Sequence, residues 1–522
     1  MIGSPNRLRL AGRAATGSAL RTDRAATGWS GCTGARITST CATGSHPPGS
    51  RLATSSLLAA VLSYFGSETM TENDAEKVHQ TSLRILSEVG VRLEHDEVVD
   101  RVIRAGASAG PNAQEVRFSP EMVGEYLKLT PSTVELDDRS GGTITLGSDS
   151  PSCFWTNPGL QILENRELRD ITSSDLSHIA LLCDALSNVD GIMGMAMKDI
   201  APRHRDFVGV RVIAENSLKH VRALCFTPAG MEALAEMKQV FPGNWLSIGF
   251  TAHGPLRWTN LALDIFLRSS GYGIPTTVNG EPMAGATGPV SLAGSTAVGN
   301  AEILAGIVVN QILEPGRPII YNLGLAHIFD MKFATAVTGG PENALFAKAS
   351  AAMGRFYGMP SSSWVSTESM FDDSQAALEK MFGFDSHMAQ GVSLIWGMGQ
   401  LESEKTISLT QLVIDNEMIE YVKRYQQGFE VNSDTLQFEL IKEVGIGGSF
   451  LETDHTLQNY RDHLWMPSIL NRQARETCKG RLEDVARAEA ERILGEDKGI
   501  KISQQESAEL RRVERHYVDR SD

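Results

Sequence analysis

The sequence predicts an α/β protein, a (β/α)8 TIM barrel with an N-terminal helical and β elaboration and a C-terminal helical tail. Two observations lead there. From about residue 189, short β-type runs recur at 191–197, 220–226, 245–251, 274–280, 318–324, 360–365 and 392–398, with start-to-start spacings of 29, 25, 29, 44, 42 and 32 residues. Helical apolar patterns fill gaps between them, at 231–240, 261–269, 297–313, 342–357 and 374–388. Strand and helix alternating at this spacing mark βαβ units on a parallel sheet. A barrel needs an eighth strand, and two runs qualify: 153–156 and 447–451. The competing doubly wound sheet wants a Gly-x-Gly-x-x-Gly turn after an early strand, whereas Gly445-Ile446-Gly447-Gly448 comes late and lacks that context.

The elements follow in order. Residues 1–69 are rich in Ala, Gly, Ser, Thr and Arg, and repeat AATG at 14–17 and 25–28. They read as a disordered extension or an overlong gene start outside the working fold, although an Arg-rich, acid-poor stretch also suits a transit peptide. Their apolar run at 57–62 is too short to span a bilayer. Residues 70–188 form the elaboration. Thr71 caps a helix whose face is Val78, Leu83, Ile85, Leu86 and Val89, and Gly90 ends it. A helical pattern continues at 97–105, and another helix starts at Pro120. Residues 132–162 read as a small hairpin region around Gly141-Gly142 and the alternating Thr143-Ile144-Thr145-Leu146. Residues 189–470 are the barrel core and 471–522 the helical tail.

Composition narrows the function. The 522 residues carry 48 Lys+Arg against 63 Asp+Glu, a net −15. The first 69 contain seven Arg and two acids, so they are net +5 and the remainder is −20. That acidic balance argues against a nucleic-acid partner, because phosphate contacts need clustered Lys and Arg. With 42% hydrophobic and 21% charged residues, whole-chain disorder is excluded. The longest apolar tract, 301–313, is broken by Glu302 and Asn310 and reads as a buried helix, so no membrane span and a cytoplasmic location are expected. Six Cys without close pair spacing support neither a zinc site nor a redox motif, and no metal is expected.

A TIM barrel builds its site at the C-terminal ends of its strands. That rule selects His253 after the run at 245–251, then Asn279, Glu281 and the small-residue stretch 285–294 after 274–280. It also selects Tyr321 and Asn322, Trp364 and Glu368, and Trp396 and Met398. Glu281 and His253 are the catalytic candidates, one a carboxylate that balances a cation or accepts a proton, the other a base or donor. A surface glutamate and a structural histidine fit the same positions. Trp364 and Trp396 suit a quaternary ammonium, with cation–π attraction worth about 2 kcal/mol when desolvated, or simply fill the barrel mouth. Glu368 with Asp372 and Asp373 forms either a cation site or the acidic start of the helix near Ser374. The stretch containing Gly285 and Thr287 lets a flat cofactor come close, or packs helix against strand.

MAGATGPVSLAG at 283–294, NAEILAG at 300–306, PGRP at 315–318, DSQAALEK at 373–380, QLVIDNE at 411–417 and FLETDHTL at 450–457 resemble, in order, the trimethylamine methyltransferase family. The similarity spans about residues 72–495. It implies a TIM-barrel methyltransferase that moves a methyl group from a methylated amine to the Co(I) corrinoid (cobalamin) of a separate corrinoid protein. The founding trimethylamine enzymes carry pyrrolysine. This chain has none, and its place is expected near 366–373. The resemblance therefore points to the branch that includes glycine betaine methyltransferase, with proline betaine, carnitine and trimethylamine as other substrates. The strand-end positions, not the family motifs, then assign Tyr321, Trp364 and Trp396 to the ammonium and Asn279, Asn322, His253 or Thr287 to a carboxylate. Gly285, Thr287 and Met398 lie where the corrinoid approaches. A homo-oligomer is expected. The alternative is a non-catalytic betaine-binding or regulatory barrel.

Overall fold

Eight parallel strands close into a barrel in chain order in the computed structural model, which describes residues 70–478, 480–496 and 499–521. They are β1 (Cys153–Thr156), β2 (Gly191–Met193), β3 (His220–Arg222), β4 (Leu246–Thr251), β5 (Thr276–Asn279), β6 (Ile319–Gly324), β7 (Ser361–Trp364) and β8 (Leu394–Met398). A helix follows each: α1 (Ser173–Ala185), α2 (Arg205–Asn216), α3 (Pro228–Lys238), α4 (Asn260–Ser269), α5 (Leu292–Leu313), α6 (Pro341–Tyr357), α7 (Ser374–Ala389) and α8 (Leu409–Gln426). Each of the seven expected runs contains a barrel strand. The eighth is β1, buried on both faces as a parallel strand must be. The barrel thus begins well before residue 189, while 447–451 lies in turns. The extension assigned to residues 1–69 lies outside the described residues.

α5 is longer than its sequence pattern suggested. By length and composition it could cross a membrane, yet 78% of its most apolar window is buried within the protein. Gly306 explains how closely it sits: a Cβ there would come within 2.5 Å of the Trp258 ring and 2.6 Å of Val278 on β5.

The elaboration differs in part from expectation. Thr71 and Asp74 form a reciprocal capping box on helix Glu72–Arg84, and Gly90, at φ +93°, ends the turn that follows. Between the helices runs an unforeseen four-stranded sheet of Val91–Leu93, Ser108–Ala109, Glu115–Arg117 and Arg257–Trp258. Strands of two or three residues are too short to print an alternation. The expected hairpin is present as Val134–Asp137 with Thr143–Leu146, and it closes the N-terminal end of the barrel. There Asn244, just before β4, donates its N–H to Asp137, and Arg139 reaches the Ser217 carbonyl at 2.6 Å.

Two small sheets rise beyond the strand C-termini and wall the mouth. One joins Met283–Ala284, His327–Asp330 and Thr335–Val337. The other joins Gln400–Leu401, Thr406–Ile407, Gln161–Glu164 and Glu167–Asp170. In the tail, helix Gln504–Ser521 docks on α2, where Arg511 grips Glu215 through Nε at 2.7 Å and Nη2 at 2.8 Å.

Candidate active site

Side chains on a barrel strand alternate between the lumen and the helical layer. That alternation builds the site from the bottom up. The lumen floor is apolar, with Leu136, Leu146, Cys153, Ile320 and Leu394 in one cluster. Above it Trp155 stacks on His220 at 5.4 Å and on Trp396 at 6.3 Å. Gly191 makes this possible, since a Cβ there would lie 2.4 Å from the Trp155 Nε1. Burial pushes the His220 pKa down to about 3, so the ring is neutral. Its Nδ1–H faces the Asp137 carbonyl at 3.1 Å and its Nε2 accepts from the Ser247 hydroxyl at 2.8 Å.

Arg222, at the end of β3, occupies the next layer. Its guanidinium lies 5.8 Å from the Trp396 ring centre, and Nη2 donates to Thr277 Oγ1 at 3.4 Å while Nη1 donates to the Ala223 carbonyl. Nε has no partner, and no carboxylate forms an ion pair with it among the described residues. Burial pulls its pKa down to about 9. Gly249 leaves the space: a Cβ there would stand 2.1 Å from the guanidinium. Alongside runs a relay in which Asn322 Nδ2 donates to Asn279 Oδ1 at 3.0 Å and Asn279 Nδ2 to Thr251 Oγ1 at 2.9 Å. Trp364 and Trp396 are register partners on β7 and β8, and both indole N–H groups are buried without a partner.

The lumen leads to a cavity of about 600 Å³ at the mouth, lined by Trp364 and by Glu281, His327, Glu368, Met370 and Glu404. Its acids are crowded. Burial, then the nearby charges of Glu404 and Glu302, raises the Glu281 pKa to about 8. Burial alone raises Glu404. Glu302, on α5, is raised by burial to about 7; one oxygen accepts the Leu256 N–H at 2.8 Å and the other is buried without a partner. The His327 Nδ1–H donates to the Leu325 carbonyl at 3.0 Å, and burial lowers the ring's pKa, keeping it neutral. At neutral pH the Glu281 carboxyl is therefore largely protonated.

The structure brings together Asn279, Asn322, Trp364 and Trp396 in the lumen, with Glu281 and Glu368 at the mouth. Glu368 is heavily engaged: one oxygen accepts from Thr338 N (2.6 Å) and Gly339 N (2.8 Å), the other from Ser403 Oγ (2.6 Å). It clasps the two walls of the mouth rather than waiting for a ligand. Five candidates lie elsewhere. Tyr321 sits between the inward Ile320 and Asn322, so it points outward and donates to Asn300 Oδ1 on α5 at 2.9 Å. His253 is exposed on the turn after β4 and does not line the cavity. Met398 is fully buried in the outer core, because Gly397, at φ +116°, breaks the alternation of β8. Gly285, at φ +93°, is exposed in a tight turn where only Val290 comes within 4 Å of a notional Cβ, so its backbone angle rather than a close approach demands glycine. Thr287 closes that turn by accepting the Met283 N–H at 2.8 Å. Asp373 caps α7 through the Gln375 and Ala376 N–H groups, which settles the acidic cluster on its helix-start side.

Arg222, Trp155, His327, Glu302 and Glu404 were not singled out from sequence. A weak signal existed for Arg222: His220 and Arg222 alternate within an otherwise apolar strand, so both must face the lumen. The motifs that carry the family resemblance are mostly structural. Lys380, from the 373–380 motif, and Asp415, from the 411–417 motif, form a buried ion pair at 2.7 Å. Among the described residues, no group of three or more His, Cys, Asp or Glu could hold a metal ion.

A profile of the trimethylamine methyltransferase (MTTB) family matches residues 53–521. The trimethylamine methyltransferase MttB of Desulfitobacterium hafniense strain DCB-2 is 28% identical over 428 residues, 79% of this chain and 85% of that one. The glycine betaine methyltransferase of D. hafniense strain Y51 is 28% identical over 443 residues, 81% of this chain and 90% of that one. Among solved structures, the Methanosarcina barkeri monomethylamine methyltransferase MtmB is 12% identical with a TM-score of 0.47, covering 80% of this chain and 87% of that one. The match over nearly the whole barrel and its tail is decisive: the chain belongs to the trimethylamine methyltransferase (MTTB) family.

Proposed function

We propose that this methyltransferase takes a methyl group from a quaternary amine, glycine betaine first among them, and passes it to the Co(I) corrinoid of a partner protein. The observation that carries the reading is the make-up of the site: the indole of Trp364 lines the mouth cavity together with Glu281 and Glu404, with Trp396 its register partner on β8. Indole faces attract a desolvated quaternary ammonium, and the carboxyls supply its counter-charge. A quaternary nitrogen has no lone pair to protonate, so its methyl group is already activated. The protein's work is to bind, orient and exclude water.

The acceptor corrinoid supplies the nucleophile when its carrier docks. The C–N bond breaks with its electron pair returning to nitrogen, and a tertiary amine departs. In-line attack requires one methyl to face the mouth while the rest of the substrate lies toward the lumen. Exposed apolar side chains at and near this rim, Val290, Met331, Phe333 and Met370, suit contact with a corrinoid carrier. A cytoplasmic setting, where Co(I) can be kept reduced, suits this chemistry. A homo-oligomer has support in the arm formed by helices Ser433–Leu436, Phe438–Val444 and Asp454–His463. These bury no side chain, and Leu436, Phe438, Ile441 and Leu457 stand exposed along them.

The test mixes purified protein with Co(I) cobalamin and a panel of quaternary amines. Glycine betaine is expected to replace the Co(I) spectrum with that of methyl-cobalt and to yield dimethylglycine. Failure of every amine in the panel to do so refutes the reading. Ligand binding without turnover, even with a carrier protein, favours a binding or regulatory barrel.

A further inference from the structure

Among the described residues two arginines are buried, Arg222 and Arg317, and of these only Arg222 faces the lumen. Arg317 donates to the Ile274 carbonyl at 2.8 Å and Ser269 Oγ at 3.0 Å and has Glu314 as an ion-pair partner at 3.5 Å, although its Nη2 has no partner. Arg139 lies over Phe241 and Trp245 at the closed end of the barrel and donates to the Ser217 carbonyl. Arg222 has no ion-pair partner among the described residues, a pair of neutral contacts and, like Arg139, an unpartnered Nε. It keeps 5% of its surface accessible, as does Trp396 beside it. A guanidinium taken out of water without a counter-ion is unfavourable unless an anion completes it. Gly249 is bare just where a larger residue would displace it.

Other donors stand nearby without acceptors. The indole N–H groups of Trp364 and Trp396 are both buried and unpartnered, on adjacent strands. The lumen therefore offers donors and positive charge in its depth, while the carboxyls of Glu281 and Glu404 gather at the mouth above. A simple methylamine uses only the upper half of such a site. A short zwitterion, with an ammonium a few bonds from a carboxylate, uses both.

We propose that Arg222, with the indole N–H groups of Trp364 and Trp396, forms an anion site in the barrel lumen that holds the carboxylate of an N-methylated amino acid and points its ammonium methyl groups toward the mouth. This rests on the methyl-transfer reading above and sharpens it, since the carboxylate becomes the feature that selects the substrate. Guanidinium–carboxylate hydrogen bonds are the strongest such contacts, and in a desolvated site they discriminate steeply.

The test compares glycine betaine with choline by calorimetry on the full chain, because the two share a trimethylammonium and differ in carboxylate against hydroxyl. The wild type is expected to bind glycine betaine about a hundredfold more tightly than choline, the span of a buried charge pair. Arg222→Met is expected to collapse that ratio to a few-fold while leaving choline binding in place, and Arg222→Lys to restore part of it. Circular dichroism and thermal unfolding check that the variants fold, and the wild-type ratio stands without them. Equal binding of the two ligands by the wild type overturns the proposal, as does Arg222→Met keeping the full ratio, or a wild type that binds neither. The methyl-cobalt assay separates the two readings. Carboxylate selectivity without methyl-cobalt leaves the anion site and removes the transfer reaction. Methyl-cobalt from choline as readily as from glycine betaine leaves the reaction and removes the anion site.

Discussion

Glu281 gives the site a proton to exchange, and the exchange can be measured with tetramethylammonium, which has neither a carboxylate nor a titratable group. The Glu281 pKa stands at about 8 in the ligand-free protein, raised by burial and by Glu404 and Glu302. At pH 7 its carboxyl is then about nine-tenths protonated. A cation held about 4 Å away at an effective dielectric near 20 contributes about 4 kcal/mol, enough to lower that pKa by about 3 units. Binding at pH 7 should therefore release up to about 0.9 of a proton, and affinity should climb by up to about fortyfold between pH 6 and pH 8, then level off. Glu281 is only partly buried, so solvent screening moves the expected rise toward tenfold. Glu404 shares the cavity, so the released proton belongs to the pair rather than to one residue. Proton release is read from calorimetric enthalpies in buffers of different ionisation heat. Glu281→Gln should flatten the pH profile. The sign also fixes a stability effect. A carboxyl whose pKa rises from 4.5 unfolded to about 8 folded loses stability as pH climbs through that window, and Glu281→Gln should remove the loss. Pockets that bind tetramethylammonium equally at pH 6 and pH 8 with no proton release, or a Glu281→Gln variant with unchanged release, would refute the reasoning.

Three further outcomes follow from other parts of the structure. Trp364→Leu should weaken tetramethylammonium binding about tenfold or more at constant pH through loss of the indole face, measured by the same titration; unchanged affinity removes this ring from the cation site. Lys380 and Asp415 are both fully buried, and Lys380 Nζ also donates to the Gly397 and Gln400 carbonyls at 2.8 and 3.0 Å. Lys380→Met should therefore cost about 3–5 kcal/mol in urea unfolding, and Lys380→Met with Asp415→Leu distinctly less than the sum of the single changes, because the second change removes the orphaned carboxylate. If the arm between 433 and 463 carries the subunit contact, Phe438→Glu should lower the mass measured by light scattering without lowering the thermal stability of the barrel; an unchanged mass places the contact elsewhere.

The barrel was legible because its strands are buried on both faces and its helices are long, so each prints a pattern over enough residues to be read. The eighth strand was half legible: Cys153-Phe154-Trp155-Thr156 is four buried residues with no exposed member to give it a face, and only barrel closure distinguishes it from 447–451. The strand-end rule reached the right depth of the barrel but could not set direction. Tyr321 and Asn322 are neighbours in sequence, and the pleat sends one to α5 and the other to the lumen. A bulge at Gly397 did the same to Met398.

The missed residues have a common cause. Composition and motif reading reward residues that stand out, such as the glycine run at 285–294 and the acidic cluster at Glu368 and Asp373, and those proved to build turns, clasps and caps. Arg222 looks unremarkable in its strand, and its meaning comes from what surrounds it: a bare Gly249 on β4, Thr277 on β5 and Trp396 on β8. Those positions are separated by 27, 55 and 174 residues from Arg222, and only closure of the sheet makes them neighbours. The same closure places its positive charge below the carboxyls of Glu281 and Glu404. On the proposed reading, a lumen with a guanidinium at one depth and carboxyls at another holds a zwitterion in one orientation, with its methyl groups toward the mouth.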